Sequence, residues 1–244
     1  ALQGYKVGLI DADLYGPSIP TMMGLKGEKP KMIEVGGQKK IVPLEAHGIS
    51  LISIGFIINP EQAVVLRGPR LSGIITQFIN DCHWPEMDYL MIDLPPGTGD
   101  IQLTMVQSIA VTGAVIVTTP PQVAVDDALR AANMFRLDNI QVPILGVVEN
   151  MSWFTPKELP DNKYYLFGKG GGEKLSQLLN VPQLSQIPLV KEAGEYSDQG
   201  VPPVMDRNHP IHDYFVNLAT VLNQKVVYRN QNLDPTEKVQ MQNG

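Results

Sequence analysis

Thiol is almost missing from this chain: one cysteine, Cys82, stands among 244 residues. A single thiol excludes an internal disulfide, a four-cysteine zinc site and a self-contained iron–sulfur cluster, each of which needs more sulfur ligands. It fits a reducing, cytoplasmic setting. Long apolar runs are missing as well. The longest nearly charge-free one covers residues 49–58, about half of the roughly 20 residues that a bilayer-crossing helix needs, and no signal-peptide pattern precedes the first apolar stretch. No membrane span is expected. Positive charge is in deficit, with 19 Lys and Arg against 25 Asp and Glu, the reverse of the basic footprint by which proteins grip nucleic acid. No G-x-G-x-x-G follows the first apolar run, which argues against a dinucleotide-binding dehydrogenase.

What is present is enough for a sizeable core. Hydrophobic residues make up 43% of the chain, and the 22 glycines and 20 prolines mark many turns without reaching low complexity. Short aliphatic runs alternate with helical patterns. Runs at Val7–Asp11, 49–55, Tyr89–Asp93, Ala114–Thr118, Ile144–Glu149 and 183–188 read as buried strands closed by glycine, proline or a polar residue. Between them, residues 69–82 place Leu71, Ile74, Ile75, Phe78 and Ile79 on one helical face, and 123–137 and 211–222 behave similarly. The alternation predicts a doubly wound α/β domain over residues 1–222, a mainly parallel sheet with helices on both faces. Residues 223–244 are polar and amide-rich and read as a surface tail. Residues 150–167, rich in aromatics and proline, read as an excursion loop or short hairpin over the ligand edge.

Open α/β sheets bind ligands beyond the carboxyl ends of their strands. Two strands here end on aspartate. In VGLIDADLYGPSIP, Asp11 closes the strand and Asp13 follows two residues later, ahead of Gly16. In YLMIDLPPGTGD, Asp93 closes an apolar strand and Pro96, Gly97, Thr98 and Gly99 follow. Such aspartates can hold a water on Mg²⁺ beside a triphosphate, while glycine-rich backbone offers N–H groups to the terminal phosphate. Each aspartate alone is equally readable as a helix cap. Asn150, at the end of ILGVVEN, presents a donor and an acceptor side by side, which suits the adenine edge and equally an Asx-turn.

DADLYGPSIP, RGP at residues 67–69, MIDLPPGTGD, VTTP at 117–120 and GVVENMS together resemble the Mrp/ApbC family of P-loop ATPases, relatives of MinD implicated in carrying iron–sulfur clusters. The resemblance implies ATP and Mg²⁺ as ligands, a homodimer, and an iron–sulfur apoprotein as partner. By that resemblance Asp13 is the catalytic switch I aspartate and also serves the metal, Asp93 is the Walker B metal aspartate, and residues 95–100 form switch II. Asp11, Gly16, Pro96, Gly97, Thr98 and Gly99 then line the phosphates, and Asn150 with Pro188 and Leu189 flanks the adenine.

Two departures qualify it. No G-x-x-x-x-G-K-[ST] occurs in these 244 residues, so the main triphosphate cradle is not among them and the chain as written is expected to bind ATP poorly. The chain reads as beginning just after that loop. The run Gly168-Lys169-Gly170-Gly171-Gly172 is no substitute and reads as a flexible turn into a helix. The family's C-x-x-C after NMS is replaced by Trp153-Phe154-Thr155-Pro156-Lys157, so a [4Fe–4S] cluster is implied by the resemblance alone. Two rival readings stay open: a nucleotide-sensing adaptor or pseudo-ATPase, and a MinD-like positioning ATPase, although 223–244 lacks the basic amphipathic helix the latter uses.

Overall fold

The computed structural model describes residues 1–13, 16–57 and 68–239, so Arg67 of the RGP motif lies outside the described residues. These fall into two compact units, one of residues 1–109 with 196–202 and the other of 110–195 with 203 onward.

The first unit is built on β1 (Val7–Asp11), whose Ile10 and Asp11 have no solvent exposure. A short helix α1 (Ile19–Met22) follows, then β2 (Lys31–Val35), β3 (Gln38–Val42), β4 (Leu44–Ala46), β5 (Ile49–Ser53), α2 (Gly68–Asn80), β6 (Tyr89–Asp93) and α3 (Asp100–Ser108). The order of the main sheet is β4-β5-β1-β6, with β5 and β6 both parallel to β1 and β4 antiparallel to β5. Apolar β1 and β5 sit centrally because parallel strands are covered on both faces. Helices α2 and α3 pack together, with Ile75, Phe78, Met105 and Val106 buried, and the Thr104 and Ser72 hydroxyls hydrogen-bond at 2.8 Å.

Three strands, and the helices α1, α3 and Lys191–Asp198, were not expected from the pattern. Strands β2 and β3 form a hairpin joined by Gly36 and Gly37, both at positive φ, the backbone that a tight two-residue turn demands. Its strands mix charge with aliphatics and stay largely exposed, so no buried run announces them. β4 is three residues long. Strand β5 also stops at Ser53 rather than residue 55, because the Ser53 hydroxyl accepts the Gly55 N–H at 2.9 Å and caps a 3-10 turn over Ile54–Phe56.

The second unit holds β7 (Ala114–Thr118), α4 (Gln122–Phe135), β8 (Ile144–Glu149), α5 (Gly171–Leu179), β9 (Gln183–Gln186), α6 (Lys191–Asp198), whose last residues belong to the first unit, and α7 (His212–Asn232). β7, β8 and β9 form a parallel sheet in that order. Val148, Leu184 and Ile187 pack against Tyr214, Leu218, Val221 and Leu222 of α7. Helix α7 runs ten residues past Leu222, where a surface tail was expected. No glycine or proline interrupts residues 223–234, and the helix ends as Pro235 approaches, since the residue before proline disfavours helical backbone. Buried Arg229 ties the following turn back by donating to the Asp234 carbonyl at 2.6 Å. The architecture is mixed α/β with mainly parallel sheets, and among the described residues no helix is long and apolar enough to cross a membrane.

The glycine run differs from its expected role. Gly171 and Gly172 are the first residues of α5 and are buried. A Cβ on Gly171 would meet the Pro120 carbonyl oxygen at 2.3 Å, and one on Gly172 would meet the Glu149 Cβ at 2.6 Å. Close approach of backbone, rather than flexibility, is what glycine provides there.

Candidate functional site

Strand register builds the centre of the site. Asp11 is level with Ser53 on β5 and with Asp93 on β6, so one row crosses three strands at their carboxyl ends. Side chains on one row of a parallel sheet leave on the same face, which brings these three groups together. Ser53 Oγ donates to Asp11 Oδ2 at 2.7 Å, and the Asp13 N–H donates to Asp11 Oδ1 at 3.1 Å. The Asp93 carbonyl accepts the Ala12 N–H at 2.9 Å, holding the DAD turn against β6. The sequence pattern anticipated Asp11, Asp13 and Asp93. Ser53 was missed, because ISLIS reads as plain strand and only the register places its hydroxyl beside a carboxylate.

Electrostatics follow from that crowding. Burial pushes the Asp11 carboxyl up to about 6; the bonds from Ser53 and the Asp13 N–H pull it down, and the charges of Asp93 and Asp13 add to the rise. Asp93 is also raised, by burial first and by Asp13 second. A raised folded-state value means that the folded protein holds a proton more tightly than the unfolded chain. Asp11 therefore adds stability that is full below about pH 4 and is lost as pH rises through about 6. Asp11→Asn can still accept the Asp13 N–H and carries no charge. It should flatten the fall in stability between about pH 4 and 7 and be the more stable protein at pH 7.5. Urea unfolding of both proteins at pH 5 and 7.5 checks this; parallel pH dependences would show that Asp11 is not the group responsible.

The second element is the loop between β6 and α3. Gly97 is at φ +91°, a backbone that favours glycine, whereas Gly16 has an ordinary φ and open space around it. The loop is held by Gln102 of α3, which was also missed. It is 3% exposed, donates to the Pro95 carbonyl at 2.9 Å and the Gly97 carbonyl at 3.0 Å, and accepts the Gly99 N–H at 2.9 Å.

The third group lies in the second unit. Residues after β8 run beside those after β9: Ile187 donates to the Glu149 carbonyl at 2.8 Å, Ser152 to Ile187 at 3.0 Å and Leu189 to Trp153 at 2.7 Å. Asn150, Pro188 and Leu189 thus sit on neighbouring segments, each half-buried. The Asn150 Oδ1 accepts the Met151 N–H at 2.9 Å, which leaves an oxygen lone pair for a ligand. The excursion at 150–167 is a short hairpin, with Phe154 and Tyr164 exchanging backbone bonds of 2.8 Å each way. Trp153 is buried edge-on to Tyr214 with the Lys163 ammonium 3.8 Å from its ring centre, while Tyr164, Tyr165 and Phe167 face solvent. Glu149, buried at the end of β8, accepts the Gly172 N–H at 2.6 Å and the Gln186 amide at 3.0 Å and anchors the start of α5.

Cys82 stands apart from all three groups in its chemistry. Burial first, and the charge of Asp81 second, push its thiol up to about 12, so without a metal beside it the group is a neutral thiol in the core.

A ParA family model, described as the NUBPL iron-transfer P-loop NTPase, matches residues 1–223. The chain belongs to this family. Among curated relatives, the iron-sulfur cluster carrier protein of Synechocystis sp. is 50% identical over 207 residues, covering 85% of this chain and 58% of the relative. The protein of that name from Aquifex aeolicus is 43% identical over 228 residues, covering 91% and 60%. The chain thus spans about 60% of the length of these two relatives. Among solved structures, a nucleotide-binding protein from Archaeoglobus fulgidus in complex with ADP aligns with a TM-score of 0.68 at 34% identity, covering 82% of this chain and 75% of that one. The septum site-determining protein MinD of Pyrococcus horikoshii, complexed with Mg-ADP, aligns at 0.63 with 17% identity, covering 94% and 88%. That second likeness is one of fold. The α/β fold expected from the alternating pattern, and the P-loop NTPase type implied by the resemblance, are those of this family.

Proposed function

We propose that the protein of which these residues form part binds ATP and hydrolyses it with Mg²⁺, and that the nucleotide state governs its handling of an iron–sulfur cargo or an apoprotein partner. The row formed by Ser53, Asp11 and Asp93, with Asp13 tied to it, carries this reading. Phosphoryl transfer to water asks little covalent work of a protein and much positioning. Asp13 is the residue to orient the attacking water and take up its proton. Asp11 fixes the turn that holds Asp13, and the 95–99 loop offers backbone N–H groups toward the terminal phosphate. Carboxylate oxygens are the donors that suit Mg²⁺, which is held through one or two carboxylates, phosphate oxygens and water; Asp13 and Asp93 would be those carboxylates, and the ion would neutralise charge developing on the phosphates. Asn150, Pro188 and Leu189 are read as the adenine contacts, and a homodimer as the assembly.

The iron–sulfur cargo comes to this reading from the names of the relatives. Residues 1–244 hold one thiol, Cys82, fewer than the four thiolates that such a cluster takes. Cluster ligation of the four-thiolate kind is thus not assigned to these residues. A second reading is a nucleotide-sensing adaptor that binds nucleotide without turning it over. Intact-mass spectrometry of the protein from its source, paired with Mg·ATP titration and phosphate release on the same sample, separates the two. Slow, Mg²⁺-dependent phosphate release is the expected result; binding without release would favour the adaptor, and no binding would remove both.

A further inference from the structure

We infer that Gln102 is a positioning residue for phosphate recognition, acting through the Gly97–Thr98 peptide; this rests on the ATPase reading above. A primary amide has two N–H donors and one acceptor oxygen. Gln102 commits both donors, to the Pro95 and Gly97 carbonyls, and its oxygen to the Gly99 N–H. The amide orientation is fixed by these partners, since a flipped amide would set its oxygen against two carbonyl oxygens. The described backbone contains no cis peptide, and in a trans peptide the N–H points opposite to the C=O. With the Gly97 carbonyl turned in to Gln102, the Thr98 N–H is turned out, on the exposed side of the loop.

Every neighbour reinforces that one orientation. Pro95 and Pro96 fix two φ angles ahead of the turn, and Pro96 has no N–H to compete for a phosphate. Gly97 takes the left-handed backbone that lets the chain reverse. Gln102 sits at the third position of α3, where its oxygen also satisfies the otherwise unpaired Gly99 N–H at the helix start. A loop held this way offers its outward donor without reorganising when charge arrives, the condition under which such donors matter most.

Gln102→Met keeps the length and removes all three bonds; Gln102→Glu keeps the acceptor and opposes two carbonyls with a carboxylate. Both are to be made in the full-length source protein, with folding checked by thermal melting. Without nucleotide, amide exchange at Gly99 should quicken at least ~10-fold in Gln102→Met, which removes its acceptor. With Mg·ATP, kcat should fall about 10–100-fold while KM moves less than about threefold, a split that mere loss of stability would not produce. Wild-type kcat in both variants, with wild type itself active, overturns this inference alone, as does unchanged Gly99 exchange in Gln102→Met. A wild-type protein that neither binds nor hydrolyses ATP, with Gly99 protected, instead overturns the ATPase reading and takes the phosphate role of Gln102 with it.

Discussion

Asp13→Asn is expected to lower Mg·ATP turnover by about 10²–10⁴-fold, the range lost when a positioned general base is removed, while nucleotide affinity changes by less than about tenfold. Asparagine has the same shape. The bond from residue 13 to Asp11 comes from the backbone N–H, so it survives the change. What disappears is a negative charge and a proton acceptor. The electrostatics give a second readout independent of turnover: Asp13 is one cause of the raised Asp93 carboxyl, so Asp93 should titrate lower in the variant. Carboxyl carbon NMR follows that titration, and phosphate release follows the rate. Full turnover by Asp13→Asn would remove Asp13 from the chemistry, and an unmoved Asp93 would mean that the two carboxylates are not neighbours.

Gly171→Ala is expected to cost the second unit about 3 kcal/mol or more. The added Cβ would lie 2.3 Å from the Pro120 carbonyl oxygen and 2.9 Å from the Pro120 Cα, and proline backbone cannot swing aside as a flexible side chain would. Moving α5 instead would pull the Gly172 N–H off the buried Glu149 side chain, a bond of 2.6 Å, and leave both groups unpaired. The melting temperature should fall by roughly 6–12 °C for a chain of this size. Gly168→Ala is the control: its φ of +89° disfavours alanine, but nothing lies within 4 Å of the new carbon, so about 1 kcal/mol is expected. The chain has two tryptophans, so Trp84→Phe leaves Trp153 as sole indole reporter of the second unit. A Gly171→Ala melt within about 2 °C of wild type would show that the Pro120 contact can relax.

The parts legible in the sequence share one property: their signal is local. The apolar runs that become β1, β6, β7 and β8 are short and bounded by turn residues, so composition alone announces them, and the aspartates closing β1 and β6 are visible as breaks in those runs. The β2–β3 hairpin carried a local signal too, Gly36-Gly37, but its strands bury no continuous face and the glycine pair went unread. Ser53 and Gln102 had no local signal. Ser53 matters because β5 and β1 pair with residue 53 level with residue 11, and Gln102 because its amide reaches back across a turn to residues 95, 97 and 99. α7 outran expectation because polar residues without glycine or proline extend a helix that tertiary contacts have already begun.

On the ATPase reading proposed above, the level row of Ser53, Asp11 and Asp93 makes hydrolysis a reporter of assembly. Each group is brought by a different strand, and a slip of one residue along any of them would shift that group by about 3.3 Å and turn it to the opposite face. No partly paired sheet can hold two of the three in working order and misplace the third only slightly. During refolding, hydrolysis should therefore return in step with completion of the β5-β1-β6 sheet, so that the first turnover dates the moment the strands lock.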